Sequence, residues 1–409
     1  MKKALLFMFS ICLVAALLIF SGSTDRSSGV SNINAAKASA SASPSPETNV
    51  IRIGVPASVT GPGSTDDARV LLGLRYAHSV APTLDIGSTT YKIELVETDD
   101  SGTQAGAAAA AKSLGSANVS AVIGSFASAG ERAALPTYKK AGLPTLALCG
   151  TAQDADSGAL SLAAPASLTG SAAASLAQSL GRHNAAVLTD SADASSQVLG
   201  KAFVEAFTKL GGSCTEIAFS AGKKLDQQAV QAVESAGADV VFMVSSAEDG
   251  ETFLRLARKS GVVCPVIGPS SWDAGLLLSD ADYYSDNVYV IADYDGCGTE
   301  QVSAGFASRF SAWAGDNKDV RLKNGGSTYA SSYSALGYDA YMLLVKAIKS
   351  AASTEPAAIS DALLKMSYSG VTGTLAFDGG RTGRTLAYVK QLNRDTGRFT
   401  LLKTIEIGS

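Results

Sequence analysis

Val50-Ile51-Arg52-Ile53-Gly54-Val55 reads as a short β-strand, and Thr60-Gly61-Pro62 follows it as a turn. Val and Ile suit a pleated backbone, while Gly and Pro close the run. From here the chain alternates β-rich runs with helical stretches. A helical segment over Asp66–Val80 leads to a strand at Tyr91–Glu97, then to the alanine-rich helix Gln104–Leu114. Strand Ser120–Ile123, helix Ser128–Lys140 and strand Pro144–Leu148 complete a first series. A second series runs through strands at Ala185–Leu188, Cys214–Phe219, Asp239–Val244, Cys264–Ile267 and Asn287–Ile291, with helices Ser196–Leu210, Asp226–Ala236 and Glu248–Ser260 between them. Short apolar strands separated by helices predict parallel sheets covered on both faces. So many strands divide more naturally into two lobes than into one sheet, and the rhythm pauses near Ala164–Gly170. The expected fold is α/β, with two doubly wound parallel-sheet lobes and the chain passing between them more than once. Helices at Glu300–Ala314, Tyr329–Ser350 and Pro356–Met366 and a hairpin-like tail from Gly373 complete the reading.

Composition narrows the function. The 409 residues are 46% hydrophobic and 17% charged, enough apolar material for two cores and too much for a disordered chain. A net charge of −4 without a basic block argues against a nucleic-acid partner. Two histidines, His78 and His183, and five cysteines without a CxxC pair leave little for a zinc site or histidine acid–base chemistry. There is no GxSxG elbow, GxxxxGK loop or GxGxxG, and no histidine is placed to activate Cys149. An enzyme and a cofactor are therefore not expected.

Lys2 and Lys3 before the uncharged run Ala4–Phe20 have the layout of a secretory signal. The run is slightly shorter than the roughly 20 residues that span a bilayer, yet it could serve as an uncleaved anchor. A lipoprotein signal would place cysteine where Ser21-Gly22-Ser23 stands. The Ser- and Ala-rich stretch that follows reads as a flexible tether. Cys149, Cys214, Cys264 and Cys297 would permit disulfides in an exported chain, but their spacing forms no framework, and free or buried thiols are expected.

In parallel α/β sheets ligands bind beyond the carboxyl ends of the strands. Hydroxyl residues recur there: Ser58, Ser128, Thr151, Thr189, Ser246 and Ser270, with Cys149 among them. Ser128 is also expected to cap the helix that runs to Lys140, where free N–H groups suit a carboxylate. Ser and Thr are common turn and cap residues, so it is their recurrence in both halves that points to a polar cleft. The pairs Asp66-Asp67, Asp99-Asp100 and Glu248-Asp249 read as solvated turns or helix starts.

These pieces in this order resemble the periplasmic leucine/isoleucine/valine-binding protein family, from about Val50 to Ile407. The marks are the opening strand with Thr60-Gly61-Pro62, then Glu97-Thr98-Asp99-Asp100-Ser101-Gly102 and Val122-Ile123-Gly124-Ser125. Later come Ala141-Gly142-Leu143-Pro144, Gly268-Pro269 with Trp272-Asp273, Tyr338-Asp339-Ala340 and Phe377-Asp378. The resemblance implies a type I periplasmic-binding fold: two lobes joined by three crossovers that close on a ligand. With 1–22 read as signal peptide or N-terminal anchor and 23–49 as a disordered linker, the expected lobes are 50–167 with 296–370 and 168–295 with 371–409. The resemblance also implies a carboxylate held by Ser128, the backbone amide of Cys149 and Thr151.

Elsewhere the chain departs from the family pattern. Ser270 stands where an acidic residue would hold an ammonium group. Ser195 (or Ala194) and Ser246 stand where aromatic residues would cover the ligand from the second lobe, and a further aromatic position, near the first strand, matches roughly Asp66. An unpaired buried ammonium costs several kcal/mol. Either Asp66, Asp190 or Asp273 takes the acidic role, or the ligand lacks an α-amino head. The expectation is an exported binding protein, monomeric, that delivers a small carboxylate to ABC permease subunits, with an amino acid slightly favoured. A ligand sensor or scaffold of the same fold is the alternative.

Overall fold

The computed structural model describes residues 49–61, 63–124, 126, 128–148, 158–220, 227–279, 287–296, 301–377 and 383–406, with backbone alone at 128, 129 and 301. The expected export segment, and the linker up to residue 48, lie outside them. Thr48–Ser409 forms one compact unit.

Strand β1 (Val50–Ala57) lies inside a six-stranded sheet ordered β2 (Thr83–Ile86), β3 (Thr89–Asp99), β1, β4 (Ala121–Ile123), β5 (Thr145–Ala147) and β6 (Ala159–Ser161). Every neighbouring pair is parallel except the β2–β3 hairpin. The period of two in β1 sorts its side chains. Ile51, Ile53 and Val55 enter a core with Leu71 and Leu74 of α1 (Ser64–Val80) and Leu344 of α11 (Ser332–Ala351). Gly54 points the other way, where an added Cβ would stand 3.2 Å from Leu114 of α2 (Gln104–Ser116). On that face α2 and α3 (Ser128–Lys140) bury Ala107, Ala111 and Tyr138 against Val122 and Ala147.

The second sheet has seven strands, ordered β15 (Arg398–Glu406), β14 (Leu386–Asn393), β11 (Val288–Ala292), β10 (Val266–Gly268), β9 (Val240–Val244), β7 (Asn184–Asp190) and β8 (Ser213–Phe219). Its centre is parallel, and β14 and β15 add an antiparallel edge. Helices α4 (Ala166–Ser179) and α5 (Ala194–Lys209) cover one face, where Leu168 and Phe203 meet Val187 and Phe242. Helices α6 (Gln227–Ser235) and α7 (Ala247–Lys259) cover the other, through Val230 and Phe253. A short α8 (Leu276–Ser279) precedes β11. Each sheet is thus doubly wound, as the alternation of strands and helices predicts.

Several elements escape the sequence reading. Helix α4 occupies the apparent pause. It is built of small residues because it lies tight against α5: a Cβ on Gly170 would come within 2.7 Å of the Phe203 nitrogen. Strand β6 has three residues and β2 four, too short to show a period. After β11 the chain returns to the first lobe. There α9 (Gln301–Asp316) sets Phe306 and Phe310 against Tyr76 of α1, and α10 (Lys318–Lys323) and α12 (Pro356–Leu364) follow. The hairpin of β12 (Ser367–Gly370) and β13 (Gly373–Ala376) also stays there, since Leu375 and Phe377 join the core of β1. The expected boundary at 371 therefore falls inside this hairpin.

The chain crosses between the sheets three times: between β6 and α4, between β11 and α9, and between β13 and β14. Arg384, on the third crossing, is almost wholly buried. It donates to the carbonyls of Leu162 on the first (2.9 Å), Asp293 on the second (2.9 Å) and Thr372 in the hairpin (2.7 Å). Beside it Lys390 of β14 meets Asp273 at 3.0 Å, both fully buried. Asp273 also accepts from the Ser332 nitrogen (2.9 Å), which opens α11 in the first lobe.

Helices α1 and α11 cross with glycine on each side. A Cβ on Gly73 would lie 1.8 Å from the Ser334 oxygen, and one on Gly337 would lie 2.2 Å from that of Val70. Neither helix backbone has room to yield. Gly337→Ala should lower stability by about 1–3 kcal/mol through overpacking, read as a lower urea midpoint at unchanged slope.

Candidate functional site

The strand ends of the two lobes meet through the helices that follow them. Helix α1 follows β1, α3 follows β4, α5 follows β7 and α7 follows β9. Helix α3 touches α5, and α1 touches α7 through one ion pair. That pair belongs to Arg69, whose side chain is 3% exposed. One guanidinium nitrogen meets Asp66, one turn earlier in α1, at 2.6 Å, and the other meets Glu248 in the first turn of α7 at 2.8 Å. A planar guanidinium suits this, because its donors are held in a fixed fork.

Tyr333, at the start of α11, shares the field of this group. Burial, followed by the charges of Asp66 and Asp293, raises its phenol well above the usual range. Burial pushes the Asp66 carboxyl up to about 6. Arg69 pulls it down, while Glu248 and Asp249 push it up. Asp293, on the second crossing, is buried. It accepts from Ser270 Oγ (2.5 Å) and the Ala164 nitrogen (3.1 Å), and Arg384 Nε lies 3.5 Å away.

The residues expected from sequence divide as follows. Ser128 opens α3 as its first helical residue rather than as the residue before it. Its side chain, Cys149 and Thr151 lie outside what is described. Asp66 is engaged by Arg69. Ser246 caps α7, accepting from the Asp249 nitrogen at 3.1 Å. Ser270 is turned to Asp293. Ser195, the second residue of α5, is half-buried and donates its backbone N–H to Asp193 at 2.9 Å. The hydroxyl that reaches across the second sheet here is that of its neighbour Ser196, which donates to the Val244 carbonyl at 2.9 Å and accepts from the Asp190 nitrogen at 2.9 Å.

The candidate Asp273 and its neighbour Trp272 belong to the core. Asp273 is held by Lys390, Ser332 and Tyr329 and cannot face a ligand. Trp272 is fully buried over Gly250 and Gly268 and donates to Ser245 Oγ at 3.1 Å. Many of the expected hydroxyls therefore fix strand ends. Ser58 is an example: its nitrogen donates to Asp67 (2.6 Å) and its hydroxyl to Asp100 (2.9 Å).

Sequence reasoning missed Arg69, Asp293, Tyr333 and Arg384, and it read Glu248 as a solvated helix start. A lone arginine between Ala68 and Val70-Leu71-Leu72, with an aspartate three residues before it, was the signal available for Arg69. Nothing local marks the others, because their partners are far away in the chain. Among the described residues no group of His, Cys, Asp and Glu could hold a metal, and no helix is long and apolar enough to cross a membrane. Cys214 and Cys264 are free thiols, and burial pushes that of Cys214 up to about 11.

Two mostly parallel sheets, joined by three crossings and by contacts between the helices that follow their strands, define a two-lobed α/β architecture. The family model for periplasmic binding proteins matches residues 50–396, and the chain belongs to that family. Solved structures agree on the fold. Leucine-binding protein LivK from Thermotoga maritima is 23% identical with a TM-score of 0.77, covering 87% of this chain and 99% of that one. A solute-binding protein of an ABC transporter from R. palustris, in complex with benzoate, is 17% identical with a TM-score of 0.77, covering 87% and 96%. An ABC transporter substrate-binding protein from Desulfitobacterium hafniense, in complex with Leu, is 22% identical with a TM-score of 0.65, covering 86% and 100%. No curated protein sequence matches the chain.

Asp67 gives a test of the electrostatics behind the cleft. Burial pushes its carboxyl up to about 7, against the bonds from Ser58. The folded state then holds the proton more tightly than the unfolded chain, so stability falls as pH rises from about 4 towards 7. Asn at this position can keep the bond from the Ser58 nitrogen without the charge. Asp67→Asn should gain on the parent protein by about 2–4 kcal/mol between pH 4 and pH 8, in paired denaturant curves.

Proposed function

We propose that the chain is an extracytoplasmic solute-binding protein that holds a small carboxylate-bearing ligand between its lobes and delivers it to an ABC permease by lobe closure. The observation that carries this reading is that α3 starts beyond β4 and touches α5 of the other lobe. Free N–H groups at a helix start favour an anion, and a ligand touching both lobes stabilises the closed form alone. Ser128, the amide of Cys149 and Thr151 form the grip in this reading. Relatives in complex with Leu and with benzoate share only the carboxylate, which is why that group, rather than the ammonium, is taken as common. The segment before residue 48 exports the chain and either leaves it or tethers it to the membrane. A sensor or scaffold of the same fold is the second reading, favoured by the engagement of Ser246 and Ser270 within the protein.

Thermal unfolding of the chain from Thr48 onward, with leucine, 4-methylpentanoate and benzoate, tests the proposal. A ligand at about 100 times its Kd should add roughly 2.7 kcal/mol, a rise of several degrees. Ser128→Ala should remove that rise without lowering the ligand-free Tm. A folded protein that answers to none of these acids moves the reading to the sensor or scaffold.

A further inference from the structure

The Arg69–Glu248 pair joins residues 179 apart, one on a helix of the first lobe and one on a helix of the second. Both partners are side chains of the chain itself, so the bond uses no atom of a ligand. We propose that Arg69 is a latch: its bond to Glu248 holds the two lobes together without ligand, and so sets how much of the protein is already closed when a ligand arrives. This rests on the reading of the fold as one that opens and closes.

Three features separate the pair from an ordinary surface bridge. Arg69 is 3% exposed, and such burial requires a partner charge. Asp66 takes one nitrogen of the fork and fixes its direction, so the other is aimed at α7 before Glu248 arrives. Glu248, by contrast, is 39% exposed and can return to water when the lobes part. Asp66 would then remain on Arg69 within α1, leaving the buried cation paired in both states. The link is therefore breakable at one end only. Where the closed form is only partly populated, apparent affinity falls by that fraction, so a latch raises affinity without touching the ligand.

Small-angle scattering of the ligand-free full chain, at 50 mM and 1 M NaCl, reads the latch directly. Glu248→Gln should enlarge the radius of gyration at 50 mM salt, reporting a loss on the order of tenfold in the closed-to-open ratio. High salt should enlarge the parent protein in the same way and leave Glu248→Gln unchanged. Glu251→Gln removes the same charge from the same helix but bonds only Arg255, so it should behave as the parent. Equal radii for the parent and Glu248→Gln at both salt concentrations would overturn the latch, as would an equal expansion in Glu251→Gln. Glu248 is partly exposed, so its substitution is compatible with folding, and Arg69→Lys gives a second measure. A point charge without the fork cannot serve both carboxylates, and its radius should also exceed that of the parent. Because no ligand is present, failure of the carboxylate reading would leave this result standing, and failure of the latch would leave the carboxylate reading standing.

Discussion

One guanidinium holds the three crossings in register. Arg384 accepts no substitute of simpler chemistry, because it binds carbonyls from three separate segments at once and carries a charge into a site almost without water. Burying a cation is unfavourable unless it is hydrogen-bonded and balanced, and Asp293 supplies the balance at 3.5 Å. Lys390 and Asp273 repeat the arrangement a few residues away on β14. The lobes themselves need no such help. Each is a parallel sheet covered by helices, stabilised by the burial of Val, Ile, Leu and Ala. Among the described residues the buried cations, Arg69, Arg384 and Lys390, all stand where the lobes join, because apolar burial has no direction and cannot by itself fix how two lobes meet.

The family marks in the sequence turn out to be fasteners of this kind. Asp99 holds Thr60 and the nitrogen of Val59, while Asp100 holds Ser58. Asp339 accepts from the nitrogens of Val371 and Thr372 and from Tyr368, pinning the β12–β13 hairpin to α11. Asp273 does the same for the start of α11. Each is a short polar residue beside a strand or helix end, where one side chain can satisfy several backbone donors. The fold was therefore legible from these residues and from the alternation of strand and helix. Helix α4 was not, because its Ala- and Ser-rich surface answers a tight contact with α5 that no local period reveals.

The cleft was less legible for a related reason. Hydroxyls at strand ends were visible as a pattern, but a hydroxyl serves a ligand and a backbone equally well, and only tertiary structure decides. Ser246 became a cap and Ser270 a partner of Asp293, while the cleft-spanning role went to Arg69. Asp66, expected to stand where an aromatic covers the ligand, instead directs an arginine. A pattern of residue types gives position along an element and says little about a partner 179 residues distant.

In the proposed closure of the lobes, the two arginines mark opposite ends of the motion. Arg384 is 1% exposed and bonded to backbone that crosses between the lobes, so opening cannot release it without exposing an unpaired charge. Arg69 is nearly as buried, but its partner across the cleft is the exposed Glu248, which water can solvate. The difference lies in the acceptors. Carbonyls of the crossings have few alternatives to the guanidinium, whereas a half-exposed carboxylate has bulk water. An identical side chain thus makes a pivot in one place and a releasable contact in the other, with the exposure of its partner deciding which.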